Sequence, residues 1–176
     1  MNQEMKDKIL ETVRGFHLPR YEEIPNVGLY LEQVTKYISE CYAPLGNVSI
    51  TGSMISNYVK RGLVKNPVKK QYDREQIAYL IFIAAAKNAL SLDNIQILLD
   101  MQKQSFDAKA AYHYFCAELE AVIFDVFGLK DSADMADSDA MDEKIMLRNI
   151  IITLAHQTYL NMCFNAIKGE RTPDKN

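Results

Sequence analysis

Apolar residues recur every three to four positions along most of this chain, the period of helices that bury one face. Residues 2–14 carry Met5, Ile9 and Val13 at i, i+4 and i+8 in a polar background. Residues 29–42 place Leu31, Val34, Ile38 and Cys41 on one face, and Pro44 ends that pattern. Between them runs GFHLPRYEEIPNVGLY, without a clear period but rich in aromatic and aliphatic side chains. It is expected to lie on the domain as a strap. A short helix is predicted from Thr51, a good N-cap, to Gly62, which suits a left-handed C-terminal residue. Met54, Ile55, Tyr58 and Val59 share its inner face; Ser53, Ser56, Asn57 and Lys60, at i, i+3, i+4 and i+7, share its outer one.

The pattern then changes. Residues 62–72 are too short and polar for another helix, and Val64, Val68 and Tyr72 around Asn66-Pro67 and Lys69-Lys70 predict two minimal strands, a small wing. Asp73, with Gln76 three residues on, predicts a capping box opening a helix to about residue 88. That helix is apolar nearly all round through Ile77, Leu80, Ile81, Phe82 and Ile83, and is expected at the centre of the core. Ser91 caps the next, with Leu92, Ile95, Leu98 and Leu99 as its stripe. Two longer helices follow, over residues 107–127 and about 138–168, joined by an Asp/Ala/Ser-rich linker over 131–142. The last is apolar on most faces and needs partners on more than one side: the preceding helix and a second subunit.

Charge sharpens one region. The 176 residues carry a net charge of only −3, so overall composition does not argue for nucleic-acid binding. Residues 51–74 nevertheless hold Lys60, Arg61, Lys65, Lys69, Lys70 and Arg74 against one acid, Asp73, while acids cluster at 131–143. A helix whose outer face presents short polar groups and a cation, followed by a basic turn, is suited to a major groove and its phosphates. Asn57 and Lys60 are the candidate base readers. Ser53 and Ser56 accompany them on that face, and Arg61, Lys65, Lys69, Lys70 and Arg74 are the candidate phosphate contacts. Tyr58 and Tyr72 are expected to pack beneath this surface, and Arg20 and Tyr21 to brace the domain.

Catalytic chemistry finds no constellation. His17, His113 and His156 share no ligand spacing with Cys, Asp or Glu, and there is no Gly-rich phosphate loop or nucleophile elbow. Glu118, Glu120 and Asp125 read as a solvated face. Cys41, Cys116 and Cys163 sit apart in helical contexts and are expected to be buried thiols in a reducing compartment. The longest apolar run, residues 78–86, is far short of a membrane span, and residues 1–10 carry no signal-like apolar run. The expectation is a cytoplasmic protein that is not an enzyme and needs no cofactor or metal.

Three phrases carry a resemblance: ISNYVKRGLVKNP, QYDREQIAYL and ALSLDNIQILL. In this order they resemble the MerR-type winged helix-turn-helix domain of bacterial transcription regulators, over about residues 29–102. With LPRYEEIPNVGLYLEQVTKYI, the whole sequence is similar to uncharacterised bacterial proteins that join this domain to a helical C-terminal extension. Asn57-Tyr58 stands where many MerR proteins have Arg-Tyr, the wing is several residues shorter, Ala89 replaces a common Gly, and two apolar helices replace the long coiled-coil helix. The resemblance implies an all-α fold: a winged helix-turn-helix with a minimal two-stranded wing, plus a C-terminal helical hairpin or bundle. Four regions are expected: an N-terminal helix and strap (1–28), the winged domain (29–104), a dimerisation or effector region (105–168) and a tail (169–176). The expected function is sequence-specific regulation of transcription by a dimer on a near-palindromic operator. Its partners would be double-stranded DNA, a second copy joined through the C-terminal helices, and an unidentified small-molecule effector, with no membrane. The rival expectation is a helical protein–protein interaction module that keeps the fold without DNA binding.

Overall fold

The capping residues set most element boundaries in the computed structural model, which describes residues 2–46, 48–129 and 142–170. Helix α1 (Gln3–Arg14) starts where the Asn2 side chain accepts from the Met5 N–H at 2.9 Å. The strap follows, burying Phe16, Leu18 and Ile24 and making a short 3-10 turn at Tyr21–Glu23. Strand β1 (Leu29–Tyr30) leads into α2 (Leu31–Cys41), and a second 3-10 turn (Ala43–Leu45) precedes α3 (Gly52–Lys60). Strand β2 (Gln71–Tyr72) and helices α4 (Arg74–Ala86), α5 (Leu92–Ser105), α6 (Ala108–Val126) and α7 (Asp142–Glu170) complete the order. Thr51, Asp73, Ser91 and Asp107 each accept a first-turn N–H with the side chain. The fold is mostly helical, with one small antiparallel sheet.

Helix α4 sits at the centre, as its all-round apolarity predicts. Ile77, Leu80, Ile81 and Ile83 are fully buried, and α2, α6 and α7 pack around it. The Tyr42 hydroxyl, inside this core, donates to the Ile81 carbonyl at 2.9 Å, so the buried phenol is satisfied. Helices α6 and α7 pack on each other, the Phe127 ring that ends α6 lying edge-on to Tyr159 at 5.2 Å. Even so, α7 leaves Leu160 and Phe164 more than half exposed, at 52% and 55%. Its N-terminal turns likewise expose Ile145 and Met146.

The sheet differs from the expected wing. Tyr72 pairs with Leu29 and Gln71 with Tyr30, so the strand partner comes from before α2 and not from the Val64 segment. The hairpin itself is only the Val68–Gln71 bridge. Two residues expected to begin the second helix therefore become β1. The reason lies in Gly28: a Cβ there would sit 2.7 Å from the Gln71 Cβ, and only glycine lets the two segments close up. At the other end, α7 runs to Glu170, two residues into the expected tail. The predicted linker, but for Asp142, and residues 171–176 lie outside the described residues.

Candidate nucleic-acid interface

Helix α3 is anchored by one face and displays the other. Ile55 and Tyr58 are buried, Met54 and Val59 are half-buried, and Ser53, Ser56, Asn57 and Lys60 are exposed. Its C-terminus closes with Gly62 at φ 81°, where the Gly62 and Leu63 N–H groups return to the Val59 and Tyr58 carbonyls at 3.0 Å. That closure sends Leu63 and Val64 into the core. The outer face is not uniform. The Ser56 hydroxyl donates back to the Gly52 carbonyl at 2.9 Å, and Ser53 shares a hydrogen bond with Thr51 at 3.0 Å. Asn57 and Lys60 thus carry the outward hydrogen-bonding capacity of α3.

The basic turn beyond it has an unusual backbone. Val68 and Gln71 exchange both N–H···O bonds, at 3.1 and 2.9 Å, closing a two-residue loop. Lys69 and Lys70 in that loop have φ of 51° and 65°. Positive φ at both central residues defines a type I′ turn, which strongly prefers Asn-Gly. Here two long cationic side chains take those places at a steric cost of about 1–2 kcal/mol each. Both are exposed, and neither forms an ion pair among the described residues.

The other candidate cations divide. Lys65 lies 3.6 Å from Glu75 while remaining largely in solvent. Arg61 is held by the exposed carboxylate of Asp93 at the start of α5, a surface pair that a phosphate can displace. Arg74 is the correction. Its Nε donates to the Ile24 carbonyl at 2.8 Å, its Nη2 donates to the Glu22 carbonyl at 3.1 Å, and its guanidinium stacks on Tyr21 at 5.8 Å. With Nε and Nη2 donating to the strap, Arg74 braces the domain.

Sequence reading missed Gln76 as a support of this surface. Its Oε1 accepts from the Asp73 N–H at 2.8 Å, the expected capping box. Its Nε2 also donates to the Lys65 and Asn66 carbonyls at 2.9 and 3.2 Å. One buried amide thereby ties the root of the basic turn to the core helix. The Asp-x-x-Gln spacing signals the cap; nothing in it signals the second pair of partners. Asp93 was missed for the same reason, since Arg61 lies 32 residues away.

The strap is locked by Glu120, which the sequence assigned to solvent. Glu120 accepts two hydrogen bonds from Arg20, at 3.0 and 2.7 Å, and one from the Leu18 N–H at 2.9 Å. Glu118 pairs with Arg148 at 3.3 Å, joining α6 to α7. Glu22 meets Lys109 at 2.5 Å and His113 at 3.0 Å. These contacts hold its carboxyl at about 2, with the Lys109 hydrogen bond first and its backbone and His113 hydrogen bonds behind it. Arg20 and Tyr21 do brace the domain, Tyr21 packing edge-on to Tyr112 at 6.2 Å. Cys116 is buried whereas Cys41 and Cys163 are half-buried; burial raises the Cys41 and Cys116 thiols to about 12. Among the described residues no cluster of His, Cys, Asp or Glu has metal-holding geometry, and no helix is long and apolar enough to cross a membrane.

These features define a helical protein whose small sheet supports an exposed basic turn beside a polar helix face. The chain belongs to the family described as Domain of unknown function (DUF1836), which matches residues 19–115, more than half of its length. The match takes in the strap as well as α2 to α5, consistent with Arg74 and Gln76 binding strap, turn and core into one unit. No curated protein and no solved structure matches the chain.

Proposed function

We propose that this protein is a sequence-specific DNA-binding transcription regulator, built on a MerR-type winged helix-turn-helix and acting by binding, not catalysis. The observation that carries the reading is the Lys69-Lys70 turn. Two lysines stand where the backbone disfavours them, exposed and without an ion pair among the described residues, and such outliers point to function. Helix α3 would lie in the major groove with Asn57 toward adenine and Lys60 toward guanine. Lys65, Lys69, Lys70 and a released Arg61 would meet phosphates. Dimerisation would run through α7, whose exposed Leu160 and Phe164, one turn apart, need a cover. Two copies would then take the half-sites of a near-palindromic operator in the cytoplasm.

Salt-dependent binding of genomic fragments by wild type and by the Lys69→Ala/Lys70→Ala pair tests this. Wild type should lose affinity steeply with salt, and the pair should reduce the log–log slope by about 1.8. If wild type shows no salt-sensitive binding to any fragment, the regulator reading fails. The second reading, a helical interaction module, draws on the apolar exposure of Ile97, Ile145 and Met146 along the α5–α7 groove.

A further inference from the structure

A cavity of about 280 Å³ opens between α4, α5, α6 and the first turn of α7. Phe82, Leu98, Leu99, Phe115 and Leu147 form its walls, and the alanines of α6 keep one side open. Its size approaches the roughly 300 Å³ at which ordinary small-molecule sites begin. An apolar lining of this kind favours the uptake of apolar groups from water.

The polar groups at its edge are mostly spent. The Tyr79 hydroxyl donates to Gln102 Oε1 at 3.2 Å, and Gln102 Nε2 donates to the Phe106 carbonyl at 2.7 Å. The Tyr112 hydroxyl donates to the Pro19 carbonyl at 3.0 Å. Lys144 differs. Its ammonium lies 5.6 Å from the Phe106 ring and 5.5 Å from the Tyr114 ring, half-buried at the rim, with no carboxylate partner among the described residues. An ammonium over ring faces retains its capacity to donate to an anion. Lys103, stacked on Tyr79 at 5.9 Å, is by contrast already paired with Asp100 at 3.6 Å.

We propose that this cavity binds a small amphiphilic carboxylate, its apolar body between α4, α5 and α6 and its anionic end on Lys144. A neutral or cationic head would forgo the Lys144 ammonium, which has no carboxylate partner among the described residues. A large ligand would exceed the volume.

Titration calorimetry on the full chain with octanoate, octanol and octylammonium tests the assignment without DNA, so its outcome is independent of the regulator reading. Octanoate should bind roughly tenfold tighter than octanol, the size of one charge-assisted hydrogen bond, and octylammonium weakest. Lys144→Met, which keeps the apolar stem, should erase the octanoate preference and leave octanol binding unchanged. Methyl resonances of Leu98, Leu99 and Leu147 should shift on binding while that of Leu160 stays still. Absence of binding, equal binding of the three compounds, or a preference surviving in Lys144→Met overturns the proposal. So does a shift confined to Leu160.

Discussion

Replacing Lys69-Lys70 by Asn-Gly separates what the basic turn costs from what it does. Both lysines hold positive φ, at 51° and 65°, within a loop closed by two Val68–Gln71 hydrogen bonds. A left-handed conformation costs an ordinary L-residue about 1–2 kcal/mol, whereas asparagine adopts it with less penalty and glycine with none. Glycine returns about 0.5–1 kcal/mol of that gain through its larger entropy loss on folding. The net expectation for Lys69→Asn/Lys70→Gly is stabilisation by about 1–2 kcal/mol. For a chain of 176 residues, each kcal/mol moves Tm by about 2–4 °C, so the melt should rise by roughly 2–8 °C. If the ammonium groups meet phosphates, the same change should flatten the salt slope of DNA binding by about 1.8, near 0.9 per contact. Thermal melts by circular dichroism and fluorescence anisotropy at several salt concentrations read the two effects. Lys69→Ala/Lys70→Ala is the control: it removes both charges but keeps two residues that dislike the conformation, so the slope should flatten without the rise in Tm. An unchanged or lower Tm for Asn-Gly refutes the strain reasoning, and an unchanged slope refutes the phosphate contacts.

Asp93→Asn frees Arg61 and removes an acid beside α3, so DNA affinity should increase while the salt slope, set by an unchanged number of phosphate contacts, stays the same, read by the same anisotropy series. Gln76→Met keeps the volume of that side chain but orphans the Lys65 and Asn66 carbonyls and removes the Asp73 N–H partner, leaving the Asp73 N-cap itself in place; stability should fall by about 2–3 kcal/mol in urea melts, with weaker DNA binding from a turn no longer held. Gly28→Ala drives a Cβ to 2.7 Å from the Gln71 Cβ and should cost about 1–3 kcal/mol, together with loss of the β1–β2 hydrogen-bond protection in amide exchange. Glu22 sets an acid limit. Its native carboxyl, held down first by Lys109, lies at about 2 against an ordinary 4.5. The native state therefore binds fewer protons, and the contribution is full above pH 4.5 and lost as pH falls through about 2. Carboxyl carbon shifts should show this titration, and Lys109→Met should move it toward 4.5; a midpoint already near 4.5 in the wild type refutes the contact. The group faces solvent, so its effect on stability is small.

Local chemistry was legible and long-range chemistry was not. Capping by Thr51, Asp73 and Ser91, the two faces of α3 and the central place of α4 follow from spacing within one or two turns. Arg74 illustrates the other case. On the sequence it is one more cation in a basic run, and only the strap, fifty residues earlier, turns its guanidinium inward. Glu120 likewise reads as solvent-facing until Arg20 and the Leu18 N–H, about a hundred residues away, arrive beside it. Strand β1 escaped because two residues carry no period, and its partner is set by the room at Gly28.

Helix α4 joins these separate features. At its N-terminus Arg74 and Gln76 hold the strap and the root of the basic turn; further along, Ala78, Tyr79 and Phe82 line the apolar cavity. Buried helices are stiff and close-packed, so a displacement of α4 is shared along its length. A molecule filling the proposed cavity site would lie against the same helix that, through Gln76, holds the Lys65 and Asn66 carbonyls. If both proposed sites are occupied, any linkage between them is reciprocal: whatever free energy the cavity ligand contributes to turn placement, turn occupancy returns to the ligand. Gln76 is the residue at which that coupling is testable, since breaking its two turn-directed hydrogen bonds should leave cavity binding intact while uncoupling it from the basic surface.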